Sequence, residues 1–124
     1  HVTIPLSEPG FQPSAAAIDA AITDRTRVVV LNSPHNPTGS ILEPEHVERI
    51  VAAAARHDAV MVSDEVYEHL VYDGARHRPT ASFAGAAERT LTVSSAAKTF
   101  SVTGWKIGWV TGPAALIEAV LGVK

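Results

Sequence analysis

Three short apolar runs each lead into a cluster of side chains able to do chemistry. Val28-Val29-Val30-Leu31 runs into Asn32-Ser33-Pro34-His35-Asn36-Pro37-Thr38-Gly39, Ala59 to Ser63 into Asp64-Glu65-Val66-Tyr67, and Leu91 to Val93 into Ser94-Ser95-Ala96-Ala97-Lys98. Lys106 follows, between Trp105 and Trp109. Open parallel sheets bind ligands beyond the carboxyl ends of their strands, so if these runs are parallel strands their trailing residues share one rim. That rim carries an amide, a carboxylate, a phenol, a hydroxyl and an amine. A lysine beside apolar residues, partly desolvated, can have its pKa lowered enough to attack an aldehyde and form a Schiff base. A carboxylate facing it suits a protonated ring nitrogen. Pyridoxal 5'-phosphate offers the aldehyde, the pyridine and a phosphate for small donors and a cation to hold, so the rim matches it group by group.

Positioning these groups requires alternating strands and helices, and the chain supplies them. Pro13 to Thr23 places Ala16, Ile18, Ala21 and Ile22 at helical spacing after the turn residues Pro9 and Gly10. Arg27 to Asn32 is apolar and β-branched, as a parallel strand covered on both faces should be. Ser33 to Ser40 is a loop. Pro44 suits the first turn of a helix that repeats Val47, Ile50, Val51 and Ala54 on one face up to His57. Ala59 to Ser63 and Thr90 to Ser95 are further strands, giving the strand-helix-strand unit whose crossover is right-handed. A last strand over Lys106 to Thr111 follows too soon for a parallel crossover and is expected to run antiparallel or to lie apart. The fold class is therefore α/β, a mostly parallel doubly wound sheet with one antiparallel strand.

Composition narrows the partners. The 124 residues are 46% hydrophobic and 19% charged, which excludes a disordered or collagen-like chain. Ten Lys and Arg against thirteen Asp and Glu leave a net charge of -3, without the basic excess that nucleic-acid binding requires. No cysteine is present. The longest wholly apolar run, Ile50 to Ala55, is far short of the roughly 20 residues that span a bilayer, so no membrane role is expected and the protein is read as cytoplasmic. The six histidines form no HExxH pair, so no metal is assigned. A first residue other than Met, and a final helix from Pro113 to Lys124 without a glycine-based cap, suggest an internal segment of a longer protein with some apolar surface left uncovered.

The segments SPHNPTG, SDEVYEHLVYDG and SSAAKTFSVTGWKIGWVTGP, in that order and at these separations, resemble three signature regions of the class I/II aminotransferases, pyridoxal-phosphate enzymes of fold type I. The resemblance covers the whole chain and implies the central part of the cofactor-binding large domain, with the N-terminal part and the C-terminal small domain absent. It implies that Lys98 forms the Schiff base and shuttles the substrate's α-proton, that Asp64 pairs with the pyridine nitrogen, and that Asn36 and Tyr67 hydrogen-bond the cofactor's 3' oxygen. Ser95 and Lys106 would hold the phosphate, Lys106 standing where many relatives have Arg. The substrates implied are an amino acid and a 2-oxo acid, and the full-length protein would be a homodimer. Within the family, DEVYEHLVYDGARHRP and SSAAKTFSVTGWKIGW are most similar to the N-succinyldiaminopimelate branch and next to the kynurenine and glutamine transaminases.

Plainer roles compete. Asp64 could cap a helix over Glu65 to Leu70, Asn36 to Gly39 forms a turn whatever else it does, His35 fits a surface loop, and Trp105 and Trp109 fit core packing. Two other functions use the same residues: a pyridoxal-phosphate C–S β-lyase, and a non-catalytic aminotransferase-like sensor domain of a transcription regulator. The chain by itself is expected to be inactive, since the resemblance places the ring-stacking aromatic and the phosphate loop upstream, and the arginine for the substrate carboxylate downstream.

Overall fold

The computed structural model describes residues 1–123. A four-stranded sheet is its centre. Strands β3 (Val28–Asn32), β4 (Val60–Asp64) and β5 (Thr90–Ser95) are parallel, and β6 (Gly108–Thr111) pairs antiparallel with β5, in spatial order β3-β4-β5-β6. This is the expected mostly parallel sheet with one antiparallel pair. A hairpin of β1 (Leu6–Ser7) and β2 (Gln12–Pro13) precedes it, too short to show a period in the sequence. The Gln12 side chain ties this hairpin down, donating to Ile41 O at 2.9 Å and accepting from Glu43 N at 2.9 Å.

Helix α1 (Ala15–Ala21) starts at Ser14, whose hydroxyl accepts the Ala17 N–H at 3.1 Å. Helix α2 (Pro44–Arg56) has Pro44 in its first turn and buries Val47, Ile50, Val51, Ala53 and Ala54. Both helices pack on one face of the sheet. There Ile18 and Ile22 meet α2, Val29, Leu31, Met61, Phe83 and Ala86 in a single core. Burying side chains such as Ile18, Ile50 and Met61 contributes about 1.5–3 kcal/mol each. Ala86 and Phe83 lie in the long β4-to-β5 connection, whose regular structure is two single 3-10 turns, Thr80–Ser82 and Ala87–Arg89. The opposite face is open at β3, where Val28 and Val30 are 54% and 70% exposed. The double covering anticipated for this strand is therefore one-sided within the described residues.

Near the end of the chain the boundaries move inward. The last strand begins at Gly108 rather than Lys106, because Lys106 adopts a left-handed conformation, φ 54°, that breaks the ladder. Gly108 and Gly112 let β6 approach closely: a Cβ on Gly112 would stand 2.7 Å from Thr90 O. Helix α4 (Ala114–Leu121) is shorter than the span anticipated from Pro113 to Lys124, and Gly122 follows it as its cap. Lys124 lies outside the described residues.

Candidate active site

Strand pairing decides which side chains can meet. Asn32 is in register with Asp64, and Asp64 with Val93, so Asn32, Asp64 and Ser95, two residues beyond Val93, share the sheet face opposite the helices. They stand at the carboxyl ends of three neighbouring strands. Just past them, the loop after β3 brings Asn36 Nδ2 to 3.5 Å from the Tyr67 hydroxyl. Helix α3 (Ala96–Thr99), a single turn capped by Ser95, brings Lys98 Nζ to 5.8 Å from the centre of the Tyr67 ring. Asn36 and Lys98, far apart in sequence, thus both approach Tyr67, three residues past Asp64 at the end of β4.

Asp64 itself is half-buried. Its Oδ1 accepts the Val66 N–H at 3.2 Å, a local turn in place of the helix cap considered above, since residues 66–69 form turns and no helix follows. No hydrogen bond occupies Oδ2 or Lys98 Nζ among the described residues. Ser95 Oγ accepts the Ala97 N–H at 3.2 Å and donates to Ile107 O at 3.4 Å. That second contact, with the Ala96 N to Ile107 O bond at 3.1 Å, places the stretch holding Lys106 beside the start of α3. Among the described residues no hydrogen bond or ion pair joins the Lys106 side chain to the other candidates.

Two expectations are corrected. Lys98 is exposed, so the partial desolvation anticipated for it is not provided by the described residues; the open sheet face leaves nothing over it. Trp105 is 73% exposed and Trp109 39%, so neither packs into this core. His35 has a more specific role than a surface loop residue: its Nδ1 and Thr38 Oγ1 lie 2.8 Å apart, and Thr38 Oγ1 meets Ser40 Oγ at 2.8 Å, bracing the loop that presents Asn36.

Two features went unrecognised in the sequence. The Asn32 side chain accepts the Asn36 N–H at 2.9 Å and donates to Asp64 O at 3.2 Å, linking two candidates; its place at the end of an apolar run was the available signal. Behind Asp64, a fully buried Glu65 carboxylate pairs with His77 at 2.7 Å. His77 lies twelve residues away in a loop, and no pattern announces that pairing. A groove of about 990 Å³ between the N-terminal segment and β3 reaches the rim at Asn32 and His35.

Residues 1–124 match the model of the family described as aminotransferase class I and II. The chain belongs to this family. Its members are generally pyridoxal-phosphate dependent and act on amino acids and 2-oxo acids. A Mycobacterium tuberculosis protein named "Probable N-succinyldiaminopimelate aminotransferase DapC" is 53% identical over 100% of this chain and 32% of its own length. The solved structure of N-succinyldiaminopimelate aminotransferase from the same organism superposes with a TM-score of 0.92 at 54% identity, covering 96% of this chain and 32% of that one. An aspartate/prephenate aminotransferase of Thermus thermophilus is 46% identical over 96% of this chain and 30% of its length. The chain thus spans about a third of these aminotransferases.

Proposed function

We propose that the protein to which these residues belong is a pyridoxal-phosphate-dependent aminotransferase, moving an amino group between an amino acid and a 2-oxo acid. The convergence of Asn36 and Lys98 on Tyr67, at the rim where Asp64 ends β4, carries this reading. The donor set fits the group: a free amine, a carboxylate oxygen without a partner, an amide beside a phenol, and a hydroxyl at the start of a one-turn helix. When bound, pyridoxal phosphate supplies an electrophilic aldehyde and a ring that withdraws electrons from the substrate's α-carbon.

The side chains divide the remaining work. Lys98 Nζ would anchor the cofactor and, as a free amine, would take and return the substrate's α-proton as general base. Asp64 keeps a proton on the ring nitrogen by charge pairing. Asn36 and Tyr67 donate hydrogen bonds to the 3' oxygen, while Ser95 and Lys106 hold the phosphate. In this reading residues 1–124 form part of the cofactor-binding large domain. The rest of the site comes from other parts of a homodimeric, cytoplasmic protein, and the 124 residues alone are inactive. The 53% identity to the mycobacterial protein favours N-succinyldiaminopimelate with glutamate and 2-oxoglutarate as substrates. The test is Lys98→Ala in the full-length protein. The visible absorption band of the lysine-bound cofactor should vanish with amino transfer, and a borohydride-reducible adduct persisting in the variant would overturn the assignment.

A further inference from the structure

The roles above make no use of the buried network behind Asp64. Ser63 Oγ and Thr80 N both donate to Glu65 Oε1 at 2.9 Å, His77 Nε2 meets Oε2 at 2.7 Å, and Ser63 Oγ and Thr80 Oγ1 lie 2.8 Å apart. The Glu65 side chain is 1% exposed and that of His77 6%. Burial alone would raise the Glu65 pKa. The His77, Thr80 and Ser63 hydrogen bonds outweigh it and hold the carboxyl below its ordinary value. Buried hydrogen-bonded carboxylates are often replaceable by apolar side chains at no loss of stability, so this one calls for another account.

Its place in the strand supplies one. Ser63 and Glu65 point into the core and Asp64, between them, to the opposite face. Glu65 is fixed twice, through its carboxylate and through its N–H to Val93 O at 2.9 Å, and its carbonyl then starts the turn carrying Tyr67 by accepting from Glu68 N at 2.9 Å. We propose that Glu65, gripped by Ser63, His77 and Thr80, is a positioning residue that holds the Asp64 carboxylate and the Tyr67 phenol against the cofactor ring. The proposal rests on the pyridoxal-phosphate reading and adds a role for residues that touch no cofactor.

The test uses the full-length protein loaded with cofactor isotope-labelled at the ring nitrogen. Misplacing a catalytic group by about 1 Å can cost up to roughly 10²-fold, so Glu65→Ala should lower kcat roughly tenfold or more at a little-changed KM. Its ring-nitrogen resonance should shift toward the unprotonated position. Glu65→Gln, which keeps an acceptor for Ser63 and Thr80, should restore both. Should Glu65→Ala yield no soluble holoenzyme, Ser63→Ala decides, with an expected loss of roughly threefold in kcat and a partial resonance shift. Wild-type kcat and resonance in the deciding variant would overturn the proposal, as would a Gln variant as impaired as Ala. Failure of the wild-type protein to form a lysine-bound cofactor would instead sink the functional reading itself.

Discussion

Asp64→Asn separates the charge of this side chain from its shape. Asp64 Oδ1 accepts from Val66 N, and the residue's carbonyl accepts from Ser33 N at 3.1 Å and from Asn32 Nδ2 at 3.2 Å. Asparagine can keep all three bonds, because its amide oxygen accepts as the carboxylate oxygen does. It cannot keep the charge. Opposite unit charges about 4 Å apart interact by about 4 kcal/mol at an effective dielectric near 20. Asp64 is half-buried, so solvent screening reduces this to about 2–3 kcal/mol for a protonated ring nitrogen within hydrogen-bonding reach. If that stabilisation is expressed in the transition state, its loss slows turnover by roughly 10²-fold. The assay is steady-state amino transfer by the full-length protein, with cofactor content read from the visible spectrum. Full cofactor occupancy with turnover down about 10²-fold is expected. Turnover within about threefold of wild type would refute the electrostatic role.

Two predictions concern stability. Gly112→Ala would set a Cβ 2.7 Å from Thr90 O and 2.9 Å from Leu91 Cδ2, forcing β6 off β5; a cost of about 1–3 kcal/mol should appear as a lowered Tm by calorimetry, and an unchanged Tm would contradict the close approach. For Glu65 the folded-state pKa lies below the ordinary 4.5. Its stabilising contribution is then present above the unfolded value and lost as pH falls through the folded one. The urea-midpoint difference between wild type and Glu65→Gln should therefore shrink on acidification below 4.5; a difference that grows there would reverse the sign of the linkage.

What the sequence disclosed followed from local chemistry. Val28 to Leu31 and Leu91 to Val93 announced strands because β-branched runs suit a buried pleat, and α2 was visible from Pro44 and its apolar stripe. Asn36, Asp64, Tyr67, Ser95 and Lys98 stood out as candidates because each follows an apolar run closely in the sequence. The Glu65–His77 pair was hidden because nothing local demands it; only the path of the β4-to-β5 connection brings them together. Lys106 was read into a strand because propensity does not report a single left-handed residue. Trp105 and Trp109 were assigned to a core on size alone, whereas burial depends on what lies opposite, and in these residues little does.

The period of two explains how the sheet presents reactive groups without giving up stability. Each candidate at a strand end has neighbours facing the other way that are locked in place. Asn32 lies between Leu31, 7% exposed, and Ser33, 5%. Ser33 Oγ accepts the Leu42 N–H at 3.1 Å. Asp64 lies between Ser63 and Glu65, both fully buried. Ser95 follows Ser94, buried and donating to Glu68 Oε1 at 2.7 Å. Stabilisation of about 1.5–3 kcal/mol per large apolar side chain and about 1 kcal/mol per hydrogen bond falls on these inward residues. On the outward side the Asn32 amide is bonded to Asn36 N and Asp64 O, while Asp64 keeps one carboxylate oxygen without a hydrogen-bond partner among the described residues. Because adjacent residues are joined by a stiff extended backbone, a shift of an inward anchor is passed to the outward group beside it. The helix-covered face thereby sets the geometry of the groups on the open one.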